Sequence, residues 1–186
     1  MNQSMTEQQI SDQFEIRLLE LKELNDFVDL SRSTYYEAYH QKAPEETLQY
    51  YMKTTYNHSN LEREILEPQR KTMVIYNKIT GKMYGYCMIN MNKRHDMIES
   101  IQPHSEINRF YIDKKYHGTG LSKWFMNYII QWISQFNIHH LWLCVWKEND
   151  IAQKFYRKLG FGFFGLIQPY QIDGLDYPLY IYQRSP

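Results

Sequence analysis

A basic, glycine-containing segment stands where a strand gives way to a long amphipathic helix. It reads Lys115-Tyr-His-Gly-Thr-Gly120, with Lys114 before it and Lys123 after it. The first backbone N–H groups of a helix have no acceptor within the helix, and the helix dipole favours negative charge there. Gly118 and Gly120 let the backbone approach a phosphate without a Cβ. The pattern predicts an anion site, although a plain tight turn has the same glycines.

Two common phosphate-binding motifs do not fit this segment. A Walker loop has four residues between its glycines and then Gly-Lys-Ser/Thr, and the segment lacks both features. A dinucleotide-binding fingerprint has a third glycine where Lys123 stands. Nucleotide motifs of these two kinds are therefore excluded.

The second informative segment runs from Trp142 to Phe161. An apolar strand is followed by Asn149, a good helix N-cap, and by a helix that Gly160 ends. Tyr156 lies one helical turn beyond Ala152, where it could belong to the core or serve a reaction. The residues alone leave the structural and functional roles of Asn149 and Tyr156 open.

Together, the two segments resemble the GNAT acetyltransferases. The diphosphate loop of that family is Gln/Arg-x-x-Gly-x-Gly/Ala, and residues 115–120 match it with Lys115 in place of Gln or Arg. The following family pattern, Asn-x-x-Ala-x-x-Phe/Leu-Tyr-x-x-x-Gly-Phe, matches residues 149–161 at every marked position. The strand Glu106–Ile112 adds to the likeness.

The resemblance is strong over residues 106–161 and looser over residues 14–90, where the order of elements agrees but no motif can be quoted. Within the family, the chain is most similar to bacterial spermidine/spermine N-acetyltransferases of the Pai type. The stretches that carry this narrower likeness are residues 106–112, 141–146 and 155–161, together with the helical region 35–66.

The resemblance implies an enzyme that moves an acetyl group from acetyl-CoA to a primary amine, with no metal. Two adjacent strands would part near residues 110–112 and 143–146 to admit the pantetheine arm, and Asn149 would bond that arm. Backbone amides of the glycine loop would hold the diphosphate. The residues assigned to acetyl-CoA are Phe110, Tyr111, Ile112, Lys115, His117, Gly118, Thr119, Gly120, Leu121, Ser122, Lys123 and Asn149.

Two residues are candidates for proton transfer. Tyr156 is the candidate general acid, because a phenol with a pKa of about 10 stays protonated at neutral pH and can donate to the leaving thiolate. Glu106 is the candidate base, directly or through water, because a protonated amine must lose a proton before it attacks. A solvated carboxylate at a strand end accounts for Glu106 equally well.

The expected acceptor is a polyamine such as spermidine or spermine. Glu37, Glu45 and Glu46 lie near several tyrosines and could bind a polycation by charge and cation–π contact, although a solvated helix face also explains them. Other acceptors stay open: a protein N-terminus or lysine, or an aminoglycoside-like amine. Two readings without catalysis also stay open, a module that binds acyl-CoA and an interaction protein whose glycine turn binds nothing.

The composition sets the class of protein. The chain has 186 residues, 43% of them hydrophobic, which predicts one globular domain. Basic and acidic residues number 21 each, so no excess charge favours nucleic acid or an anionic membrane as a partner. The polar N-terminus lacks the apolar core of a signal peptide, and no run is apolar enough to span a bilayer. We expect a cytoplasmic protein that acts on a small-molecule amine, and a homodimer is left open.

Hydrophobic periodicity predicts the elements that position these residues. Residues 1–12 are expected to form a loose tail or a short leading helix. The order of elements predicts a single α/β or α+β domain over residues 1–186, and the resemblance implies a mixed, mostly antiparallel GNAT-type sheet of about seven strands with splayed middle strands. Predicted strands are 14–19, 71–76, 83–90, 106–112, 140–146, 161–168 and 177–182, and predicted helices are 20–39, 44–56, 59–68 (with Ser59 as N-cap), 119–136 and 149–159.

Overall fold

A computed structural model describes residues 3–98, 103–172 and 174–186. Three short 3-10 turns accompany the regular elements, at Leu21–Glu23, Lys114–Tyr116 and Ser134–Phe136. The helices are α1 (Glu7–Gln13), α2 (Leu24–Tyr39), α3 (Glu45–Thr54), α4 (His58–Leu66), α5 (Leu121–Ile133) and α6 (Asp150–Lys158). The strands are β1 (Phe14–Leu18), β2 (Arg70–Asn77), β3 (Lys82–Asn90), β4 (His104–Ile112), β5 (His140–Trp146), β6 (Gly162–Ile172) and β7 (Leu175–Arg184).

The strands form one seven-stranded sheet in the order β1-β2-β3-β4-β5-β7-β6. Strand β1 pairs antiparallel with β2, and β7 pairs antiparallel with both β5 and β6. Strands β4 and β5 pair in parallel. The predicted mixed, mostly antiparallel sheet of about seven strands is confirmed.

The parallel ladder between β4 and β5 is short. It joins residues His104–Ile107 to residues His140–Leu143. Strand β4 then continues to Ile112, and β5 continues to Trp146. Each strand therefore has a carboxyl end that extends past the ladder, which is where the resemblance implies that the middle strands part.

Two compact units divide the chain. The described part of the first unit is residues 3–88 and 109–126, whose core holds side chains of α2, α4, β2 and β3, among them Phe27, Leu61 and Val74. The second unit takes the other described residues and has a smaller core that includes Ile98, Trp142 and Ile181. The prediction that residues 1–186 are a single domain stays a prediction.

Local hydrogen bonds fix the starts of two helices, and one of them, α4, begins earlier than predicted. Helix α4 begins after Asn57, whose side chain accepts the N–H of Asn60 at 2.9 Å, so Asn57 and not Ser59 is the N-cap. At the N-terminus, Thr6 and Gln9 form a capping box, and the residues that follow Thr6 are a short helix rather than a loose tail.

The long helix α5 ends earlier than its apolar pattern predicts. A 3-10 turn follows it, and Asn137 then adopts a left-handed conformation with φ of 52°. Such a residue ends a helix because the chain leaves the helical region. Among the described residues, no helix has the length and apolar character to cross a bilayer.

Candidate active site

The glycine loop connects the end of β4 to the start of α5. Gly118 has a φ of +79° and Gly120 a φ of +98°, in the region that favours glycine. Nothing lies within 4 Å of the position that a Cβ would take at Gly118. The loop therefore has a backbone that only glycine adopts without strain, and it leaves room beside that backbone.

Two backbone donors of the loop close the turn itself. The N–H of His117 donates to the carbonyl of Lys114 at 3.0 Å, and the N–H of Thr119 donates to the carbonyl of Tyr116 at 3.3 Å. The hydroxyl of Thr119 also donates to the carbonyl of Tyr116, at 2.8 Å. These two amides hold the loop in shape, and the N–H of Tyr116 likewise donates to the carbonyl of Asp113 at 2.9 Å, so the candidate donors for an anion are the other amides.

The neighbouring donors lie at the first turn of α5. The first bond of the helical ladder runs from the N–H of Trp124 to the carbonyl of Gly120, at 3.0 Å. The amides before Trp124 have no acceptor inside the helix. The donors suited to a diphosphate are the N–H groups of Gly118, Gly120, Leu121, Ser122 and Lys123, of which Leu121 also makes a long contact of 3.4 Å with the Thr119 hydroxyl.

Two carboxylates hold the start of the loop. Asp113 accepts the N–H of Lys115 at 2.9 Å. Glu37, from the last turns of α2, accepts the N–H of Lys114 at 3.3 Å. The loop is thus tied to α2 before it reaches the glycines.

The side chains of Lys115 and His117 pack against residues of the first unit. The Lys115 ammonium lies 3.6 Å from the ring centre of Tyr84, a cation–π contact. The imidazole Nε2–H of His117 donates to the carbonyl of Ile112 at 2.9 Å. Both side chains shape the loop from its flanks.

The end of β4 lies very close to β3. A Cβ on Gly85 would stand 2.5 Å from Cδ1 of Ile112 and 2.9 Å from the carbonyl oxygen of Tyr111. Glycine at this position therefore permits the approach of the two strands that places residues 110–112. Sequence reasoning missed Gly85, although a glycine inside a strand is a known sign of close backbone approach.

The residues at the end of β4 are fixed by aromatic contacts. The ring of Phe110 packs on Phe125 of α5, with centroids 5.4 Å apart. The ring of Tyr111 stacks on Tyr86 of β3 at 5.5 Å. Ile112 is buried. Residues 110–112 can therefore bind an extended ligand through their backbone N–H and C=O groups.

Glu106 is held by two amide side chains in the second unit. Asn90 of β3 donates to its Oε2 at 2.5 Å, and Asn108 makes a longer contact of 3.5 Å with its Oε1. Burial, and then the charge of Glu106, raise the pKa of the Cys144 thiol to about 12. The thiol stays protonated near neutral pH, so Cys144 is a poor nucleophile. Asn90 is a partner that sequence reasoning missed.

The start of α6 is capped as predicted. Asn149 accepts the N–H of Ala152 through its side-chain oxygen at 3.2 Å. This bond occupies the oxygen, and the amide nitrogen of Asn149 is a separate donor on the same side chain. The cap fixes the side chain in one orientation.

Tyr156 lies on the buried face of α6 and is 8% exposed. Its ring packs edge-on against Phe155 and Phe161, with centroids 5.3 and 5.7 Å apart. The helix is fixed by Gln153, which sequence reasoning also missed. Gln153 donates to the carbonyl of Lys147 at 2.6 Å and accepts from the hydroxyl of Tyr182 at 3.2 Å.

The predicted site residues divide between the two units. Residues 110–112 and the loop of residues 115–123 belong to the first unit, and Glu106, Asn149 and Tyr156 belong to the second. Among the described residues, no three His, Cys, Asp or Glu side chains are grouped to hold a metal ion.

Comparison with protein families identifies the arrangement. The model of the Acetyltransferase (GNAT) family matches residues 24–161, which include β4, the glycine loop and α6. The chain belongs to the GNAT family. It is therefore an acyl-CoA-dependent N-acetyltransferase, and its acyl donor is acetyl-CoA. The predicted family, enzyme class and cosubstrate are confirmed.

Curated relatives of this GNAT protein are themselves N-acetyltransferases. An uncharacterized N-acetyltransferase from the pepI 3′ region of Lactobacillus delbrueckii subsp. lactis is 26% identical over 140 residues, which are 75% of this chain and 79% of that protein. The spermine/spermidine N(1)-acetyltransferase of Bacillus subtilis is 27% identical over 86 residues, 46% of this chain and 56% of that enzyme. The chain thus matches only about half of the Bacillus enzyme.

Solved structures share the fold of this GNAT protein. The PaiA N-acetyltransferase from Thermoplasma acidophilum, crystallised with coenzyme A, has a TM-score of 0.72 at 19% identity, over 93% of this chain and 99% of that one. The spermidine N-acetyltransferase of Vibrio cholerae, in complex with coenzyme A and spermine, has a TM-score of 0.67 at 18% identity, over 94% and 96% of the two chains.

Proposed function

We propose that the protein acetylates a primary amine of a polyamine such as spermidine or spermine. The observation that carries the proposal is that Glu37 lies beside the glycine loop, with Glu45 and Glu46 on the following helix, which Tyr36 contacts. Glu37 touches the loop through the N–H of Lys114, at 3.3 Å. Glu45 and Glu46 open α3, and all three carboxylates are exposed. Exposed carboxylates on consecutive helices can attract a flexible polycation by charge.

Aromatic rings accompany the carboxylates. The hydroxyl of Tyr36 donates to Glu45 at 3.2 Å, and this bond raises the pKa of Tyr36, so the phenol stays neutral. Neutral phenol rings beside carboxylates bind ammonium groups by cation–π contact in addition to charge. The names of the Bacillus and Vibrio proteins, which refer to spermine or spermidine, give independent support.

Acetyl-CoA turnover against a panel of amines tests the proposal. The panel holds spermidine, spermine, amino acids, peptides and aminoglycosides, and release of the free thiol of coenzyme A is measured. We expect the two polyamines to have the highest kcat/KM. A higher kcat/KM for a peptide or an aminoglycoside would contradict the polyamine as acceptor. It would leave the assignment as an acetyltransferase unchanged.

The double variant Glu37→Gln/Glu45→Gln is expected to raise the KM for spermidine about fivefold to twentyfold, because each exposed charge contact contributes up to about 1 kcal/mol. The kcat should stay within about twofold, because Gln retains an oxygen for Lys114 and Tyr36. Initial rates at 20 mM and 300 mM salt are compared, and the difference should shrink at high salt. The matched control is Glu67→Gln, an exposed carboxylate after α4. An equal rise in KM for a monoamine would contradict the polycation site.

For the donor, we propose that the amides of Gly118 and of residues 120–123 hold the diphosphate of acetyl-CoA. Ser122→Glu places a carboxylate at the helix start, where it satisfies the amides and repels the diphosphate. We expect the dissociation constant of coenzyme A to rise about tenfold to a hundredfold, about 1.4–2.8 kcal/mol. Thermal stability should not fall, because a negative charge suits a helix N-terminus.

Calorimetric titration with coenzyme A measures the effect of Ser122→Glu. Ser134→Glu, the same change beyond the other end of α5, is the control and should leave binding unchanged. An unaltered affinity of Ser122→Glu for coenzyme A would mean that the diphosphate binds elsewhere in the molecule.

Glu106 is proposed as the base that deprotonates the amine, with Asn90 as the residue that orients it. Glu106→Gln should lower kcat/KM for spermidine about a hundredfold near pH 7, within the range for a lost general base. The variant should regain rate as pH rises, by up to tenfold per unit, because the neutral fraction of an amine grows with pH below its pKa of about 10.

The pH profile of kcat/KM, with the Glu67→Gln variant as control, measures this effect. The kcat/KM of Asn90→Ala should lie between the values for wild type and Glu106→Gln, because this variant frees the carboxylate of Glu106 without removing it. Glu106→Gln with a profile parallel to that of wild type would remove the base role.

A further inference from the structure

The N-terminal segment of the chain lies against the glycine loop. The N–H of Met5 donates to the carbonyl of Thr119 at 2.8 Å. A Cβ at Gly120 would stand 3.6 Å from the carbonyl oxygen of Met5 and 3.7 Å from Cδ1 of Ile10. Ile10 is only 2% exposed. The segment therefore supports the peptide that joins Thr119 to Gly120.

The same segment is fixed at its other end. The ammonium of Lys78, in the connection between β2 and β3, donates to the carbonyl of Ser11 at 2.6 Å. The N–H of Lys78 donates to the carbonyl of Gln13 at 2.9 Å. Helix α1 thus spans from the β2–β3 connection to the glycine loop, and the Thr6 capping box holds its first turn.

The geometry of the Thr119–Gly120 peptide explains how the hydrogen bond from Met5 affects the loop. In a planar trans peptide the C=O and the following N–H point in opposite directions. A donor that holds the carbonyl of Thr119 on one side consequently turns the N–H of Gly120 to the opposite side. Glycine has little conformational preference of its own, so a contact from outside the loop adds to the turn bonds in selecting this orientation.

We infer that residues 5–10 position the coenzyme A site: Met5 fixes the Thr119–Gly120 peptide so that the Gly120 N–H faces the diphosphate. Ile10 fills the space beneath the glycine and keeps the segment in place. The inference rests on the proposed role of the loop amides. It gives α1, which lies outside the family match at residues 24–161, a part in binding the donor.

Met5→Pro removes the N–H and tests the inference. We expect the dissociation constant of coenzyme A, measured by calorimetric titration, to rise about tenfold, the effect of one lost hydrogen bond that orients a second. The kcat at saturating acetyl-CoA should stay within about twofold. Gln3→Pro, an exposed residue of the same segment, is the control and should bind as wild type does.

A second pair of variants separates positioning from stability. Ile10→Ala should weaken coenzyme A binding in the same direction, and Ile79→Ala, at a residue 81% exposed, should not. With acetyl-pantetheine as donor, which has no diphosphate, Met5→Pro should match the wild-type kcat/KM. Unchanged coenzyme A affinity in Met5→Pro and Ile10→Ala, or an equal loss with both donors, overturns the inference. Failure of the wild type to acetylate polyamines would instead reject the proposed acceptor, since coenzyme A binding is measured without one.

Discussion

Tyr156→Phe is expected to lower kcat about a hundredfold to a thousandfold, within the range for loss of a general acid. The change removes one oxygen and keeps the ring that packs on Phe155 and Phe161. The fold and the dissociation constant of coenzyme A should therefore stay as in wild type. The thiolate of coenzyme A would have to leave without a proton from the enzyme, which raises the barrier of the step in which it departs.

Thiol release at saturating acetyl-CoA and spermidine measures kcat, and titration with coenzyme A measures binding. Tyr128→Phe is the matched control, because Tyr128 is 39% exposed on α5 and loses the same atom. A kcat within threefold of wild type would reduce Tyr156 to a packing residue.

Glu64→Gln is expected to lower the free energy of unfolding by about 3 kcal/mol, the lower end of the range for breaking a buried ion pair. Glu64 of α4 accepts from both guanidinium nitrogens of Arg109 and from Arg70, the latter at 2.8 Å. Its side chain is 19% exposed and that of Arg109 is 11% exposed. Neutral Gln removes the negative charge that Arg109 and Arg70 share at Glu64.

The surroundings of Arg109 favour its protonated, positively charged form. Burial lowers its pKa, but the neighbouring Tyr56, Tyr86 and Glu64 outweigh that effect, and the pKa is raised overall. The guanidinium lies 4.9 Å from the ring centre of Tyr56. A guanidinium does not lose its proton in a protein, so Arg109 cannot relieve the loss of Glu64 by becoming neutral.

Urea unfolding followed by circular dichroism measures the effect of Glu64→Gln. The control variant Glu67→Gln changes an exposed carboxylate three residues after Glu64. It should alter the free energy of unfolding by less than about 0.5 kcal/mol. Equal midpoints for the two variants would mean that the pair contributes nothing to stability. Since Arg109 directly precedes residues 110–112 on β4, we also expect Glu64→Gln to weaken binding of the donor.

Most of the fold could be predicted because hydrophobic spacing is a local property of the sequence. The start of α6 at Asn149 could be predicted too, but the start of α4 could not, since more than one polar residue there can act as the cap. Asn57 and Ser59 are both good caps, and only the bond from Asn60 decides between them. Helix α1 is too short to be stable alone, so it depends on burial of Ile10, a contact with residues distant in sequence.

The candidate site could likewise be predicted only in part from the sequence. The glycine loop could be found from its residues, but the turn bonds that occupy the amides of His117 and Thr119 needed coordinates. Asn90 precedes Glu106 by 16 residues on a different strand, and the strand pairing brings them together. Nothing in the local sequence of Asn90 indicates this partner.

Cys87 is buried and Cys144 is half-buried, and this limits their reaction with the coenzyme A that the enzyme releases. Burial raises the pKa of Cys87, and that of Cys144 is raised to about 12. Disulfide exchange requires a thiolate, so neither cysteine should form a mixed disulfide with the coenzyme A that each turnover releases. Colorimetric thiol reagents added to the native enzyme should consequently report the product alone, without a background from the protein.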